Sequence, residues 1–559
     1  MKKTDWIILI LIFVISIITL RDLFKPGFYT SHDGISQVVR LYYFDQAVRD
    51  GQIPPRWVGE LLNGFGYPLF NFSYHLPWLL AEPMHLVGYS IIDSIKMTFL
   101  LGFIFSGVTM YFFQKEIFGR LPAICGTVIY LFAPYRFLNI FVRAAIGDAT
   151  AFIFPPLLFL ALYKLKKSKN IAWQWIMLGA LALAGLVLSH AMVFLFFCIS
   201  AVLYIIFSLF YIKNKKQYIF ATSISAILAV GISSYYFIPS LIERNWTKFS
   251  EIMSKAFTGQ TFLDLRQLLY SPWGYGMMRA SEGGMSFQLG IAQWLVIGLS
   301  SILVVFFILK KKSSNLEKDI LWEACFYLLI FFLSIILMLP ISYLFWKILS
   351  NIAVIDFTWR VLSISIFASG VLAGFVVSKV KYQWLFAGFL IFLAIYANRN
   401  HIRINQSLDW PIGMYLKLEK TTNIFDEYTP KWVRWEVVEQ PKPKVVFSKE
   451  SAKINILVNK SNYIKFTINN FEYGRVRVNM IYYPGWTVEE NRVPKVFIYK
   501  DNGGLVEFDI DKGAHLIELR FKETWMRKIA NSITIASFMV ILLGIGLSVK
   551  AKLKKRVKR

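Results

Sequence analysis

Charged residues are scarce in this chain: Asp, Glu, Lys and Arg make up 17% of its 559 residues, whereas hydrophobic residues make up 56%. A soluble globular protein usually carries about 25% charged residues. Acidic residues are scarcer than basic ones: the chain has 34 Asp and Glu and 61 Lys and Arg. Together with repeated apolar runs near the roughly 20 residues that cross a bilayer, this scarcity argues against a soluble enzyme and predicts a polytopic membrane protein.

Cysteines are few, and the common catalytic motifs are missing. The three cysteines, Cys125, Cys198 and Cys325, lie far apart within apolar runs, so neither a disulfide framework nor a metal cluster is indicated. The sequence has no P-loop, no G-x-G-x-x-G, no H-E-x-x-H and no G-x-S-x-G. We therefore expect no cofactor. Group-transfer chemistry in such a chain would use an already activated, lipid-borne donor.

The basic excess, a net charge of +27, is concentrated in short tracts beside apolar runs. This pattern follows the positive-inside rule and argues against nucleic acid as a partner. No small-residue cleavage site follows the first apolar run, so we expect a retained span rather than a removed signal peptide. The tracts predict a multi-pass protein of the plasma (inner) membrane with both termini in the cytoplasm. They are residues 2–3, 164–169, 213–216, 310–312 and 550–559.

The same tracts order the apolar runs into about twelve spans. These are residues 6–20, 97–113, 121–134, 148–163, 173–188, 191–211, 218–238, 289–309, 320–339, 360–378, 384–396 and 529–549. Alternation then requires residues 21–96 to form an outer loop. Residues 76–92, although apolar, should lie at the interface or re-enter rather than cross, because irregular backbone at membrane depth needs protein or a cavity to cover it.

The sequence between the last two predicted spans indicates a separate domain on the outer side. Residues 1–397 form the multi-span domain, 398–437 an outer linker, 438–524 a β-rich domain, and 525–559 the final span with its basic tail. Short alternating runs separated by Gly-rich turns predict a small antiparallel β-sandwich. The expected strands are residues 453–458, 463–469, 475–482, 496–499, 505–510 and 515–521.

The unusual polar residues fall on the outer side under this topology. A polar, aromatic-lined cavity at the outer leaflet would explain them, because Arg pairs with phosphate oxygens as a planar fork and aromatic faces stack on sugar rings. The candidate catalytic residue is Asp33, which follows the first span. The candidate substrate-binding residues are His32, Arg40, Arg56, Trp57, Arg143, Asp148, His190, Trp359 and Arg360.

Each candidate also has an ordinary structural explanation. Asp33 precedes a helix-like run and could be its N-cap. Arg143 and Asp148 could be a structural ion pair, and His190 at a helix turn could be a packing residue. Residues 359–360 could be an interfacial belt with a snorkelling Arg. The functional hypothesis depends on their shared side of the membrane, not on any one of them.

Several short stretches carry a resemblance that covers nearly the whole chain. They are HDG at 32–34, GQIPPRW at 51–57, NGFGYPLFNF at 63–72, RAAIGDA at 143–149, LSH at 188–190, SPWGYG at 271–276, FTWR at 357–360, DEYTPKW at 426–432 and YYPGWTVEENR at 482–492. The order of span, outer loop with an early Asp, and many further spans resembles the GT-C superfamily of integral membrane glycosyltransferases. The stretches themselves resemble bacterial membrane proteins with the 6-pyruvoyl-tetrahydropterin synthase-related membrane domain, including relatives of the YfhO type.

The resemblance implies a specific chemistry. It implies a polyprenyl-phosphate sugar as donor and transfer to an envelope glycan, lipid or protein on the extracytoplasmic face. Asp33 would be the general base on the acceptor hydroxyl, and Arg143 and Arg360 would hold the lipid phosphate. Many superfamily members have a second acidic residue beside the first; here Gly34 follows, which leaves a role for a divalent metal open.

Two other functions stay open at this point. A lipid or polysaccharide transporter or flippase would be expected to have polar residues near the midplane or discontinuous helices. An assembly protein would instead use the β-rich domain to bind a partner. The pterin in the family description implies no pterin chemistry here, because the clustered His zinc site of a pterin synthase is missing from the sequence.

Overall fold

The computed structural model describes residues 2–253, 261–276, 284–310, 315–350, 355–423, 425–449 and 452–557. The predicted connection 239–287, between the predicted spans 218–238 and 289–309, and the basic tracts 310–312 and 550–559 fall partly outside these ranges. The α-helices are α1 Lys3–Thr19, α2 Gly34–Arg49, α3 Leu69–Phe72, α4 Leu76–Leu86, α5 Ile91–Phe118, α6 Arg120–Leu131, α7 Pro134–Phe137, α8 Ile146–Ala151, α9 Phe154–Lys167, α10 Trp173–Ser189, α11 Ala191–Leu209, α12 Lys215–Glu243, α13 Phe249–Met253, α14 Leu265–Leu269, α15 Ile291–Leu309, α16 Asn315–Met338, α17 Tyr343–Leu349, α18 Leu362–Lys379, α19 Gln383–Ala397, α20 Ile412–Leu418, α21 Trp435–Val438 and α22 Trp525–Val557.

The helices confirm a multi-span membrane protein. Within the described ranges, eight helical segments are long and apolar enough to cross a bilayer, or nine if the bent pair Arg120–Leu131 and Pro134–Val142 is one span. These nine correspond to predicted spans. The other three predicted spans fall on α1, α10 and α19, of 17, 17 and 15 residues. The total of about twelve therefore stays a prediction.

Residues 76–92 do not form a crossing helix. α4 has 11 residues, which at 1.5 Å per residue is about 16 Å, half of the hydrocarbon thickness. Apolar side chains at its end and just beyond are exposed, among them Leu86 at 55% and Val87 at 77%. This geometry fits a helix that lies along the membrane surface.

A β-sandwich follows the linker, with strands β3 Val445–Phe447, β4 Ala452–Lys460, β5 Tyr463–Asn470, β6 Gly474–Ile481, β7 Trp486–Glu490, β8 Val493–Lys495, β9 Leu505–Ile510 and β10 Gly513–Phe521. One sheet has the order β4-β5-β10-β7-β8 and the other β3-β6-β9, and neighbouring strands are antiparallel. The alternating inward residues of both sheets form one apolar core.

Two details of the predicted strands are corrected. The run 496–499 is not a strand in its own right and contributes an isolated bridge between Ile498 and Glu507. The expected set also lacked β3, β7 and β8. These are short or carry charged residues, as in WTVEE, so their hydrophobic alternation is weak.

The linker, residues 398–437, packs against the outer loop. Its strand β2 Ser407–Leu408 pairs with β1 Phe28–Tyr29 just ahead of Asp33. Further along, Glu419 accepts a hydrogen bond from Ser36 on α2, 2.7 Å away. The linker therefore forms one wall beside the helix that begins at Asp33.

Candidate functional site

Asp148 is the centre of a buried group of charged side chains. Its Oδ2 accepts a hydrogen bond from Nη1 of Arg360 at 2.9 Å and lies 3.6 Å from Nη1 of Arg143 and 3.5 Å from Nε2 of His190. Arg360 also pairs with Asp356 through Nη2 at 3.1 Å. We call Arg143, Asp148, His190 and Arg360 the Asp148 cluster. Three residues predicted from separate parts of the chain thus meet on one carboxylate.

An irregular backbone brings these residues together. Residues Leu138–Val142 form a π-helical turn, and Ala144 has a positive φ of 52°, so the helix is interrupted between Arg143 and Asp148. Such features cost energy and concentrate at functional sites. Gly147 is required here because a Cβ would lie 2.7 Å from the carbonyl oxygen of Ser189, which leads into His190.

The His190 tautomer follows from its contact with Arg360. Nη1 of Arg360 lies 3.0 Å from Nε2 of His190. A guanidinium can only donate, so Nε2 accepts and the ring proton is on Nδ1. His190 therefore contacts the cluster through an acceptor and keeps a buried donor free.

The start of the outer loop is attached directly to this cluster. The backbone N–H groups of His32 and Asp33 donate to the carbonyl oxygens of Val142 and Arg143, at 3.1 and 2.9 Å. The side chain of Asp33 caps nothing, although the residue occupies the N-cap position of α2. Among the described residues its carboxylate has no hydrogen bond or ion pair. The capping explanation therefore does not account for this side chain.

His32 extends the same surface. Its Nε2 donates to the carbonyl oxygen of Tyr275 over 3.4 Å, which brings the SPWGYG stretch at 271–276 to the site. Burial lowers the pKa of His32 below its ordinary value and so favours the neutral ring.

Many polar atoms of the site are buried and have no partner among the residues that the structure describes. They are Nδ1 of His32, Nδ2 of Asn139, Nε of Arg143, Oδ1 of Asp148, Nδ1 of His190 and Nε of Arg360. Buried polar atoms in native proteins are almost always hydrogen-bonded. Their concentration at one place indicates that the site takes up a polar ligand or ordered water.

Trp359 packs against a guanidinium of the cluster. It is fully buried, and the guanidinium of Arg143 lies 4.9 Å from its ring centroid. A belt residue would face the lipid interface, so the belt explanation does not fit Trp359. Since the ring is already covered by protein, its stacking partner is the guanidinium, and we do not assign it a sugar contact.

Arg40 lies two turns beyond Asp33 on α2. Its Nε and Nη2 donate to the hydroxyl and carbonyl of Thr422, at 3.0 and 2.6 Å. This contact fixes the linker along the helix. Arg40 therefore borders the site but does not touch the Asp148 cluster.

Arg56 and Trp57 make no described contact with the Asp148 cluster. Arg56 is buried and pairs with Glu523 at 2.6 Å, and it also donates to Asn71 and Asn531. Trp57 is buried in the core of the β-sandwich. Both residues lie between the outer loop, the β-rich domain and the last span, and their contacts join these parts. Substrate binding by either residue stays a prediction.

Three residues of the site were not predicted. Asn139 accepts a hydrogen bond from Arg143, four residues on, and that spacing was the only signal in the sequence. Gln37 donates to the carbonyl oxygen of Ala144 and has a buried, unpartnered Oε1. The ring of Tyr74 lies 5.9 Å from His190. Nothing in the sequence around Gln37 or Tyr74 distinguishes them from ordinary loop and helix residues.

No metal centre is found in the part of the chain that the structure describes: no group of three His, Cys, Asp or Glu side chains there could hold a metal ion. Two carboxylates, Asp148 and the adjacent Asp356, pair with the two guanidiniums of the cluster. Each guanidinium keeps a buried Nε–H without a described partner, and such donors suit an anion more than a cation.

Comparison with protein families places most of the chain in a membrane-protein family. The model of the "6-pyruvoyl-tetrahydropterin synthase related domain; membrane protein" covers residues 70–405. An uncharacterized protein of Lactococcus lactis subsp. cremoris is 23% identical over 248 residues, which are 43% of this chain and 40% of that protein. The chain therefore matches less than half the length of that relative.

Solved structures with a similar chain path include three enzymes. The mycobacterial arabinofuranosyltransferase AftD gives a TM-score of 0.43 at 11% identity, covering 72% of this chain and 28% of AftD. The Archaeoglobus fulgidus oligosaccharyltransferase, tethered with an acceptor peptide, gives 0.41 at 12% identity, with coverages of 72% and 55%. ArnT from Cupriavidus metallidurans, bound to undecaprenyl phosphate, gives 0.31 at 11% identity, with coverages of 83% and 98%.

Proposed function

The chain belongs to the family of membrane proteins with a 6-pyruvoyl-tetrahydropterin synthase related domain, and we propose that it is a membrane glycosyltransferase. In this proposal a sugar moves from a polyprenyl-phosphate donor to an envelope glycan, lipid or protein acceptor on the extracytoplasmic face. The observation that carries it is the free carboxylate of Asp33, held by its own backbone against Arg143 of the Asp148 cluster. The resemblance of the outer loop to that of GT-C enzymes supports the same assignment.

The proposed reaction is a single displacement that inverts the sugar carbon. The carboxylate of Asp33 accepts the proton of the acceptor hydroxyl while the hydroxyl oxygen forms a bond to C1 of the sugar. The bond between C1 and the phosphate oxygen breaks, and its electron pair leaves with polyprenyl phosphate. Arg143 and Arg360 stabilise that leaving group through charge-assisted hydrogen bonds, each with an Nε–H that has no described partner.

Asp148 has a positioning role in this scheme. It contacts both guanidiniums with one oxygen, so it fixes the orientation of two long side chains that would otherwise be flexible. The role of His190 is to accept from Arg360 and to complete the wall of the site. The proposal assigns no cofactor; addition of EDTA, Mg²⁺ or Mn²⁺ to the assay tests the role of a divalent cation.

The decisive experiment replaces Asp33 by Asn. A positioned general base contributes about 10²–10⁴ in rate, so we expect sugar transfer to fall by at least about a hundredfold while the protein level and fold are unchanged. Glu60→Gln, an exposed carboxylate of the same outer loop, is the matched control and should keep full activity. Full complementation of an envelope-sugar defect by Asp33→Asn at normal protein level would rule out the catalytic role.

A lipid or polysaccharide flippase is the alternative, and one observation favours it. The helices Arg120–Leu131 and Pro134–Val142 meet at a bend of 51°, and discontinuous helices are typical of transporter binding sites. Reconstituted vesicles with a labelled polyprenyl lipid distinguish the two functions. Flipping without sugar transfer would support the transporter, whereas transfer that depends on Asp33 would support the enzyme.

A further inference from the structure

Glu82 is a buried carboxyl group that the Asp148 cluster does not use. It lies on α4 and is 5% exposed, and in the described ranges neither of its carboxylate oxygens has a hydrogen-bond partner. An ionised carboxylate in such a place is strongly disfavoured because nothing replaces its lost hydration. The protonated form of Glu82 is therefore the one that fits the arrangement in which α4 packs against α2. We call this arrangement the closed state.

Asp45 on α2 faces Glu82 from the other side of the helix contact. Asp45 lies at the α2–α4 contact and is the acidic residue that most affects Glu82, and its side chain is 14% exposed. Two carboxylates cannot bond to each other unless one of them carries a proton. Asp45 also pairs with Arg49, 2.6 Å away, and its other oxygen lies 3.8 Å from His85 of α4.

The remaining helices that pack against α4 do not neutralise Glu82. At the adjacent end of α5 the charged residues Asp93 and Lys96 pair with each other at 3.6 Å. The one charged residue of α8, Asp148, is engaged by the cluster. The sequence of α10 contains no titratable side chain. Glu82 thus depends on the groups of α2 and on His85.

We propose that a proton on the buried carboxyl group of Glu82, which faces Asp45, holds α4 against α2, so that this contact is a pH-sensitive latch. It connects the helix that lies along the membrane surface with the helix that begins at Asp33. The latch stands on its own, because it does not require the protein to transfer sugar. Loss of the proton leaves two negative charges facing each other in a buried contact, and the two helices should then separate locally.

The sign of the pH dependence follows from the carboxyl group. Burial first, and the negative charge of Asp45 second, raise the pKa of Glu82 from 4.5 to about 7. A raised pKa in the closed state means that closure is strongest below about pH 4.5 and weakens as the pH rises through about 7. If the open state has the ordinary value, the closed-to-open ratio should fall about 30-fold between pH 5.5 and 8.5.

Hydrogen exchange of the full-length chain in lipid nanodiscs tests this inference. After correction for intrinsic exchange rates, the amides of residues 76–89 in the wild type should lose about 30-fold in protection between pH 5.5 and 8.5. Glu82→Gln stays neutral and should show no such loss. Asp45→Asn removes the facing charge and should move the midpoint to lower pH.

Glu60→Gln serves as the control, since Glu60 is exposed and lies outside the α2–α4 contact. It should reproduce the wild-type profile. The latch is refuted if the wild type shows no pH-dependent loss of protection in residues 76–89, or if Glu82→Gln loses as much as the wild type. Should Glu82→Gln fail to purify as a folded protein, the midpoint of Asp45→Asn decides: an unchanged midpoint contradicts the proposal.

Discussion

The buried ion pair of Glu243 and Arg527 provides the sharpest stability prediction. Both side chains are 0% exposed, and the guanidinium donates to both carboxylate oxygens, at 2.7 and 2.8 Å. Glu243 also accepts from Asn71 at 2.6 Å and from Tyr483 at 2.8 Å. The pair therefore connects α12, the outer loop, the β-rich domain and the last span at one point.

Removal of one partner leaves the other charge buried without a counter-ion. Arg527→Met or Glu243→Met should each lower the free energy of unfolding by about 3–5 kcal/mol. The double variant removes both charges. It loses the hydrogen bonds that Asn71 and Tyr483 donate to Glu243 and the one that Arg527 donates to the carbonyl oxygen of Pro484. At about 1 kcal/mol for each lost hydrogen bond, its total loss should be about 3 kcal/mol, at the lower end of the range for a single variant. The double variant should thus be at least as stable as either single variant.

Denaturant titration of the full-length chain in one detergent measures these values. Tryptophan fluorescence is a suitable signal because Trp57 and Trp486 pack together, 5.8 Å apart, in the core that docks against this pair. Arg475→Met, which breaks an exposed pair with Asp509 on the β-sandwich, is the control and should leave the midpoint unchanged. Single variants that lose less than about 1 kcal/mol, or a double variant that loses the sum of both, would refute the reasoning.

Two further predictions concern the cluster and the topology. Asp148→Asn removes the charge shared by Arg143 and Arg360, and we expect about 3–5 kcal/mol less stability together with weaker donor binding, seen as a raised KM in a sugar-transfer assay; an unchanged KM would contradict the positioning role. Asp501→Cys, in an exposed turn of the β-rich domain, should react with an impermeant maleimide on intact cells, whereas Lys213→Cys should react only after permeabilisation; the reverse pattern would contradict the predicted orientation.

The helical framework was accessible from the sequence because lipid-crossing helices need long apolar runs. Nine such runs are helical segments of sufficient length and hydropathy within the described ranges, counting the bent pair as one. The bend itself was not predicted. Pro134 follows Phe132 and Ala133 in an apolar run, and a proline at that point is compatible with either a kink or a helix start. Only the packed neighbours decide between the two.

The site was partly predictable for a different reason. Asp33, Arg143, Asp148 and Arg360 stood out because ionisable residues near membrane helices are rare and costly. The same rule selected Arg56, which is equally buried but is neutralised by Glu523. Spacing in the sequence cannot tell a charge that is kept for a ligand from one that is paired internally, because the partner lies 467 residues away.

The outer loop contacts the Asp148 cluster near its start and the β-rich domain further along, and α2 joins these two regions. Residues His32 and Asp33 attach one end of this 16-residue helix to the Asp148 cluster, and about 24 Å further on the chain leads to Arg56 and Trp57 in the junction with the β-rich domain. Variants that loosen the junction should therefore shift Asp33 as well as destabilise the domain. If Arg56→Lys lowers sugar transfer more than Arg477→Lys on the sandwich surface does at equal protein level, the β-rich domain acts on the site through α2.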